Sequence, residues 1–291
     1  MCGHCGCGDT AGTTLLNLET GKEIAMDRGA HSHDHGHDAH DHHDHEHEHV
    51  HADGTRHSHA PHVHAAPAAE VVSLEARILA KNDALAVKNR AWFRGREILA
   101  LNLMSAPGAG KTTLLERTIR DLSKRLTLSV IEGDQATAND GERIRAAGAA
   151  AVQVNTGSGC HLEADMVARG LQELRPGVGS VVMIENVGNL VCPALFDLGE
   201  RAKVVILSVT EGDDKPLKYP HMFKAADLMI LNKIDLLPHV DFDVARAIDR
   251  ASQVNPDIAV LQLSARTGAG LDTWYDWLDH QIAAVREDAF A

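Results

Sequence analysis

Short apolar runs recur along the C-terminal two thirds of this 291-residue chain, and each ends in polar or glycine-rich residues. Uninterrupted runs of this kind are typical of strands buried on both faces of a parallel sheet. We therefore predict an α/β domain over residues 98–291, with a mostly parallel sheet flanked by helices. The predicted strands are residues 101–104, 128–131, 151–154, 180–186, 203–209, 227–231 and 258–263. Helices are predicted at residues 112–122 and 140–147 and in a segment opened by residues 157–161.

The N-terminal third follows a different pattern. Residues 31–64 alternate histidine mainly with Asp, Glu, Ala and Gly and contain almost no large apolar side chain. Such a segment buries too little surface to offset the entropy of ordering, so we predict that it is disordered. Its imidazoles and carboxylates predict binding of several metal ions, with a solvated linker that has no metal role as the alternative. Residues 1–30 are predicted to be a cysteine metal motif and a linker. Residues 65–97 are predicted to be a linker and an amphipathic helix capped by Ser73, with apolar positions at Leu74, Ile78, Leu85 and Phe93.

The formal net charge is −13 when histidines are counted as neutral. An acidic surface disfavours nucleic acid and anionic membranes as partners, because both reward a basic face. No apolar run approaches the roughly 20 residues that cross a bilayer, and no basic region followed by an apolar one opens the sequence. We therefore expect a cytoplasmic protein that binds neither nucleic acid nor membrane.

A glycine-rich turn follows the first strand of the predicted sheet. In a phosphate-binding loop the backbone N–H groups converge on phosphates, a lysine reaches the β and γ oxygens, and a hydroxyl ligates Mg²⁺. Lys111 and Thr112 hold the last two positions. Ser105 stands where the usual pattern has glycine, so an ordinary strand-to-helix turn is the alternative. The predicted nucleotide-binding residues of this loop are Gly108, Ala109, Gly110, Lys111, Thr112 and Thr113.

Two acidic residues end strands that neighbour this loop. Asp134 follows one apolar run, and Glu185 ends another, with Gly188 three residues later. Nucleotide switches often carry Asp-x-x-Gly there, the acid on Mg²⁺ and the glycine N–H near the γ-phosphate. We predict Lys111, Asp134 and Glu185 as catalytic residues, and Thr112, Asp134 and Glu185 as Mg²⁺ ligands. Which acid lies closer to the metal stays open, and a surface turn is the alternative for Asp134.

A base-recognition motif follows the strand at residues 227–231. Asn232, Lys233 and Asp235 form Asn-Lys-x-Asp, in which the Asp carboxylate accepts from the N1 and N2 donors of guanine. Adenine does not present that pair of donors, and a buried acceptor left unpaired is costly. Ser264 and Ala265 match the last element of a guanine-binding loop. Phosphate loop, acidic strand end, Asn-Lys-x-Asp and Ser-Ala in this order predict GTP as the nucleotide.

Three of the chain's five cysteines lie within its first seven residues. Cys2, Cys5 and Cys7 are separated by residues that include glycines, so their thiolates can converge on one ion. His4 or the terminal amine is the candidate fourth donor. Thiolates accept Zn²⁺, Ni²⁺ and Cu⁺ alike, so the spacing does not choose the metal. A flexible end with incidental cysteines is the alternative.

The other two cysteines lie near the predicted switch segments. Cys160 and His161 are adjacent, and Cys192 follows the Glu-x-x-Gly segment. Thiolate, imidazole and thiolate donors suit Ni²⁺ or Zn²⁺, and a symmetric dimer supplies further donors from its second copy. We predict these three residues as a metal site, with buried core cysteines as the alternative.

Longer motifs give the chain a family resemblance. It resembles the hydrogenase nickel-incorporation GTPases, the HypB family, over residues 71–291. The matching stretches are Ile131-Glu-Gly-Asp-Gln135, Asn155-Thr-Gly-Ser-Gly-Cys-His-Leu162, Ile184-Glu-Asn-Val-Gly-Asn-Leu-Val-Cys-Pro193, Thr210-Glu-Gly and Asp214-Lys-Pro-Leu-Lys-Tyr-Pro-His221. The terminal Cys2, Cys5 and Cys7 also match the nickel motif of that family.

This resemblance implies a P-loop GTPase of the SIMIBI class that forms a GTP-dependent homodimer with nucleotide at the interface. It implies nickel or zinc at Cys160, His161 and Cys192, and delivery of nickel to the large-subunit precursor of a [NiFe] hydrogenase. A HypA-type nickel chaperone is the partner it implies.

Two functions of different class therefore stand at the level of sequence. One is a GTPase metallochaperone in which GTP changes the affinity for metal. The other is a nickel or zinc storage protein with an incidental nucleotide domain. A urease-type nickel GTPase fits less well, because the terminal cysteine motif and Cys192 match the hydrogenase family better.

Overall fold

The computed structural model describes residues 13–26, 49–50, 56–57, 68–134, 139–157 and 159–289. Two compact units are present. The larger comprises Met1–Arg28 and Ile78–Ala291, and the smaller comprises Gly29–Arg77.

A nine-stranded sheet runs through the described part of the larger unit. Its strands are β1 Thr14–Asn17, β2 Glu23–Ala25, β5 Leu99–Ser105, β6 Leu128–Asp134, β7 Ala150–Asn155, β8 Val181–Glu185, β9 Ala202–Ser208, β10 Leu228–Asn232 and β11 Ala259–Gln262. Their order is β11-β10-β9-β5-β8-β6-β7-β1-β2, and β5 to β11 are mutually parallel. Each strand predicted in residues 98–291 is present. The predicted α/β fold class is confirmed.

Helices and short helical turns connect the strands. Their bounds are α1 Ala68–Arg94, α2 Lys111–Leu122, α3 Asn139–Ala147, α4 Ala164–Leu174, α5 Cys192–Leu195, α6 Lys215–Lys218, α7 Pro220–Ala225, a 3₁₀ turn Ile234–His239, α8 Val244–Val254 and α9 Leu271–Ala289. None of the helices among the described residues is long and apolar enough to span a membrane.

The core lies on both faces of the sheet, as alternation along β5 shows. Leu101 and Leu103 pack with apolar residues of α2, α3 and α9 on one face. Ala100 packs with residues of α1 and α4, and Met104 with residues of α7 and α8, on the other face. Because successive side chains of a strand point to opposite faces, a strand covered on both sides must be apolar throughout. This arrangement leaves the carboxyl ends of the parallel strands free to build a site.

The two N-terminal strands were not predicted from the sequence, which assigned residues 1–30 to a metal motif and a linker. β1 pairs antiparallel with β7, with Thr14 opposite Asn155, and β2 pairs with β1. Leu15 of β1 is only 1% exposed and belongs to the same core cluster as Val152 and Val154. Residues 13–26 are therefore part of the folded unit.

Helix α1 differs from its prediction at its start and in its buried face. It begins at Ala68, so Ser73 lies inside the helix and is not its N-cap. Phe93 is buried as expected, but Ile78 and Leu85 are only half-buried. Burial in α1 is described from residue 76 onward, which leaves Leu74 outside it. In that part of the helix the other buried positions are Asn82, Ala86 and Asn89, which with Phe93 form one helical stripe. The asparagines lie in the core because their side chains pair with backbone groups of Ala164, at the start of α4, and of Asp197 and Leu198.

Little of the histidine tract is described. His49–Val50 (β3) pairs antiparallel with Arg56–His57 (β4). The rest of residues 31–64, together with Cys2, Cys5 and Cys7, lies outside the described residues. The predicted metal-binding roles of both segments stay predictions.

Candidate nucleotide and metal site

The turn between β5 and α2 has the backbone of a phosphate-binding loop. Gly108 and Gly110 have φ values of 75° and 100°, in the left-handed region that glycine adopts readily. A Cβ at Gly110 would lie 2.5 Å from Asn232 Nδ2, so any side chain there would displace Asn232. Both glycines are thus required by the local geometry.

Ser105, the departure from the usual loop pattern, contacts the loop lysine. Lys111 Nζ donates a hydrogen bond to Ser105 Oγ at 2.9 Å, and Ser105 Oγ donates to the Ala106 carbonyl at 2.6 Å. Burial lowers the pKa of Lys111, and the nearby Glu185 opposes that effect. The serine hydroxyl therefore holds the lysine ammonium at the base of the loop.

Thr112 and Glu185 meet across neighbouring elements. Thr112 Oγ1 donates to Glu185 Oε1 at 2.8 Å, and Glu185 Oε2 is buried without a hydrogen-bond partner among the described residues. Burial raises the pKa of Glu185 to about 7. A hydroxyl and a carboxylate with an unsatisfied oxygen are hard donors of the kind that Mg²⁺ prefers. Glu185 therefore hydrogen-bonds directly to Thr112 of the predicted phosphate loop.

Glu132 is a site residue that the sequence analysis missed. It lies on β6 directly opposite Glu185 of β8, and its Oε2 has no hydrogen-bond partner in the described part of the chain. Burial, reinforced by Glu185, Asp134 and Asp140, raises the pKa of Glu132 to about 9. The available signal was its spacing, because residues two apart on a strand share a face and Asp134 was already a candidate.

The predicted phosphate loop and both predicted acids line one cavity of about 520 Å³. Gly188 also lines it and lies so close to the loop that an added Cβ would be 3.2 Å from Pro107 Cα. The cavity is lined by Pro107, Gly108, Gly110, Lys111, Thr112, Thr113, Glu132, Gly133, Asp134, Asp140, Arg143, Glu185, Asn186, Val187, Gly188 and Lys233.

Asn232 joins the predicted base-recognition loops to the phosphate loop. Its Nδ2 donates to the Ala109 carbonyl at 2.9 Å. Its Oδ1 accepts from the backbone N–H of Lys233 at 2.8 Å and of Ala265 at 3.1 Å. Lys233 Nζ donates to the Gly108 carbonyl at 2.7 Å. These side chains therefore brace three loops against one another.

Asp235 and Ser264 occupy the remaining predicted positions. Asp235 Oδ1 is buried and accepts no hydrogen bond from any described residue. Ser264 is buried, and its Oγ accepts from the Thr267 N–H at 3.1 Å, which shapes the loop that presents Ala265. A buried carboxylate oxygen without a donor is suited to receive the donors of a ligand.

The structure brings Cys160, His161 and Cys192 together. One donor atom from each lies within 4.8 Å of the others, and Cys160 Sγ is 3.6 Å from His161 Nδ1. Cys160 and His161 lie in the loop before α4, which begins at Ala164, so the prediction that they open a helix was wrong. Cys192 is the first residue of α5.

The imidazole of this cluster is held in a ligand-competent form. His161 stacks on Phe196 with ring centroids 3.8 Å apart, and its Nε2 has no partner among the described residues. Burial lowers the pKa of His161 to about 4, so the ring is neutral at neutral pH. Neutral imidazole is the form that ligates metal ions.

The fold and the cavity together define a P-loop nucleotide-binding protein with a cluster of soft donors beside the nucleotide site. The family model "CobW/HypB/UreG, nucleotide-binding domain" matches residues 99–262. A hydrogenase maturation factor HypB of Rhizobium leguminosarum bv. viciae is 57% identical over 225 residues, which cover 77% of this chain and 75% of that protein.

Solved structures agree with that match. The crystal structure of HypB from Archaeoglobus fulgidus has a TM-score of 0.66 and 40% identity, covering 70% of this chain and 100% of that one. The crystal structure of HypB from Helicobacter pylori in complex with nickel has a TM-score of 0.66 and 36% identity, and the match covers 70% of this chain and 96% of that one. The chain belongs to the HypB family of hydrogenase maturation factors.

Proposed function

We propose that this protein is a GTP-hydrolysing nickel metallochaperone that delivers nickel to the large-subunit precursor of a [NiFe] hydrogenase. The observation that carries the proposal is the position of the three candidate metal donors, Cys160, His161 and Cys192. Cys192 lies four residues after Gly188, which lines the nucleotide cavity. The donor atoms of Cys160 and His161 lie within 4.8 Å of the Cys192 sulfur. Nucleotide and nickel therefore bind to one connected set of loops.

The nucleotide half of the proposal rests on the loops around the cavity. Asp235 Oδ1, which has no hydrogen-bond partner among the described residues, supplies an acceptor for the guanine donors and selects GTP over ATP. Lys111 stabilises charge on the transferred phosphoryl group, and Thr112, Glu185 and Asp134 would hold Mg²⁺, which neutralises charge on the phosphates when bound. Gly188 lies close enough to the loop to sense the γ-phosphate through its N–H.

The metal half rests on the donor set. Two thiols and one neutral imidazole are borderline donors that suit Ni²⁺ and Zn²⁺. Three donors leave coordination positions for a second copy of the chain, and we propose a GTP-dependent homodimer. The H. pylori relative was solved in complex with nickel, which favours nickel as the cargo.

The remaining elements of the proposal concern where nickel comes from and where it goes. Cys2, Cys5 and Cys7 would take nickel first, and residues 31–64 would store it. A HypA-type nickel chaperone and the hydrogenase large-subunit precursor are the proposed partners, in the cytoplasm.

The test uses the full-length chain with Cys2, Cys5 and Cys7 changed to serine, here called the reference variant. Cys160 and Cys192 are then its only thiols, so nickel–thiolate absorption reports the internal site even with the histidine tract present. The reference variant is titrated with nickel in saturating GDP or a non-hydrolysable GTP analogue. We expect two affinities that differ by about 5 to 150-fold, as is typical of allosteric coupling.

Three results test the metal site, the coupling of nucleotide to nickel, and the phosphate loop in turn. The change Cys192→Ala in the reference variant should weaken nickel binding and reduce the thiolate absorption to that of Cys160 alone, whereas unchanged absorption and affinity would remove Cys192 from the site. Equal nickel affinities in the two nucleotide states would favour a storage protein. Unchanged GTP hydrolysis by Lys111→Ala would contradict the phosphate-loop assignment.

A further inference from the structure

We propose that Asn186 is the positioning residue that couples the nucleotide cavity to the metal donors; the inference rests on the proposed function. Asn186 directly follows Glu185, whose carboxylate accepts the Thr112 hydrogen bond. It is 1% exposed, lines the nucleotide cavity, and is not one of the three clustered metal donors. Its contacts join the two halves of the site.

A single oxygen of Asn186 serves both halves. Asn186 Oδ1 accepts a hydrogen bond from the backbone N–H of Leu162 at 3.1 Å and from that of Val187 at 3.0 Å. Leu162 directly follows His161 of the metal cluster, and Val187 directly precedes Gly188 of the cavity. The shared oxygen therefore fixes the distance between the metal loop and the switch segment.

The amide of Asn186 is held in one orientation. Its Nδ2 donates to Asn102 Oδ1 at 3.2 Å, and Asn102 Nδ2 donates to Glu200 Oε1 at 3.1 Å. Glu200 Oε2 in turn accepts from the Leu198 N–H at 2.7 Å. Rotating the amide would place its Nδ2 against two N–H donors and its oxygen against another oxygen. The network therefore prevents Asn186 from adapting to movement on one side only.

This arrangement converts a movement of the switch into a movement of the metal donors. A γ-phosphate that draws the Gly188 N–H towards the loop must also move Val187. Then either the Leu162 N–H follows with the shared oxygen or a buried N–H loses its partner, which is costly. Because Leu162 is fully buried and bonded to His161 through the chain, the imidazole moves with it.

Asn82 of α1 provides a matched control. It is also a buried asparagine, and it also holds the metal-bearing segments. Its Oδ1 accepts from the Ala164 N–H at 2.8 Å, and its Nδ2 donates to the Asp197 carbonyl at 2.7 Å. Its partners are the first residue of α4, three positions after His161, and a residue that follows α5, the helix that begins at Cys192. Asn186, in contrast, bonds to the segment that lines the nucleotide cavity.

The test introduces Asn186→Ala or Asn82→Ala into the full-length reference variant. Nickel affinity is measured by thiolate absorption in saturating GDP and in a saturating GTP analogue. We expect the ratio of the two affinities to fall to within about twofold of unity in Asn186→Ala, from the 5 to 150-fold typical of a coupled site. In Asn82→Ala the two affinities should fall together and keep their ratio.

The outcomes separate the inference from the proposed function. No ratio in the reference variant itself would overturn both. A ratio that survives Asn186→Ala, or one that is lost equally in Asn82→Ala, would overturn the inference alone. If Asn186→Ala does not fold, Asn102→Ala removes the acceptor that orients the Asn186 amide: a fall of the ratio would support the inference, and an unchanged ratio would overturn it.

Discussion

At the scale of single residues, the main feature of this site is a pair of buried carboxyl groups on adjacent strands. Glu132 and Glu185 lie opposite one another on β6 and β8, and both have raised pKa values, about 9 and about 7. Burial is the first cause in each case, because a charged carboxylate loses its hydration inside the protein. In the metal-free protein, loss of the proton from either carboxyl group therefore lowers the free energy of unfolding.

The pH dependence of stability follows from the sign of these changes. The Glu132 carboxyl has an ordinary pKa of 4.5 when unfolded and about 9 when folded, so the folded protein binds the extra proton between these values. Its contribution to the free energy of unfolding is present below pH 4.5 and is lost as the pH rises towards 9. The groups that face it are Glu185, Asp134, Asp140 and Lys111.

We predict that Glu132→Gln stabilises the apo protein at alkaline pH. The gain should be roughly 1–3 kcal/mol at pH near 8.5 and close to zero near pH 5, because glutamine never becomes charged. Urea unfolding at the two pH values, in the presence of a chelator, measures this gain in the free energy of unfolding. Burial lowers the pKa of His161 to about 4, so His161 makes the free energy of unfolding rise with pH in the acid range. This effect is the same in the unchanged protein and in Glu132→Gln, and it cancels when their free energies of unfolding are subtracted.

The exposed Glu142 of α3 supplies the control for this prediction. Its change to Gln should alter stability by less than about 0.5 kcal/mol at either pH, as is usual for surface positions. A Glu132→Gln effect of the same size at both pH values would contradict a protonation origin.

At the scale of elements, β1 shows how a tertiary contact creates secondary structure. The strand is four residues long, and it pairs with β7, whose residues come more than a hundred positions later. Propensity alone does not stabilise so short a strand in isolation. Its stability comes from burying Leu15 against β7 and from pairing with a sheet edge that is already formed.

We predict that Leu15→Ala lowers the free energy of unfolding by roughly 2–4 kcal/mol, because it leaves a cavity in a packed core. Denaturant unfolding of the full-length protein measures this change. Leu217 of α6 is 48% exposed, and Leu217→Ala is the matched control, with an expected cost below about 0.5 kcal/mol. Equal costs for the two changes would show that β1 is not part of the cooperative unit.

At the scale of the whole molecule, the chain joins a nucleotide domain to an N-terminal region rich in histidine. The composition of residues 31–64 gives it many imidazoles and carboxylates and almost no apolar side chains. A segment of this kind is suited to bind several ions at separate places without a single defined site.

We predict that deletion of residues 31–64 reduces the nickel stoichiometry several-fold and leaves GTP hydrolysis unchanged. Equilibrium dialysis and phosphate release measure the two quantities. Acidification below about pH 6 should strip nickel from the intact tract, because imidazole must lose its proton to ligate. If the deleted protein binds as many nickel ions as the intact one, the tract is only a linker.

The sequence by itself determined the parallel strands, the phosphate loop and the base-recognition motif. These depend on local chemistry: apolar runs form buried strands, glycines allow positive φ, and Lys111 and Thr112 stand beside the loop that they serve. Asn232 could be assigned to the base-recognition motif because the whole motif directly follows a single predicted strand. Motif residues in chain order were therefore enough to identify the class of protein.

Only the tertiary structure decided which distant residues meet. It placed Glu132 opposite Glu185 and paired β1 with β7, whereas the grouping of Cys160, His161 and Cys192 was already a prediction of the sequence. It also put Asn82 and Asn89 of α1 in the core, where an amphipathic pattern predicts apolar residues. The physical reason is that strand order and loop packing set these proximities, and neither is encoded in the spacing of residues along the chain.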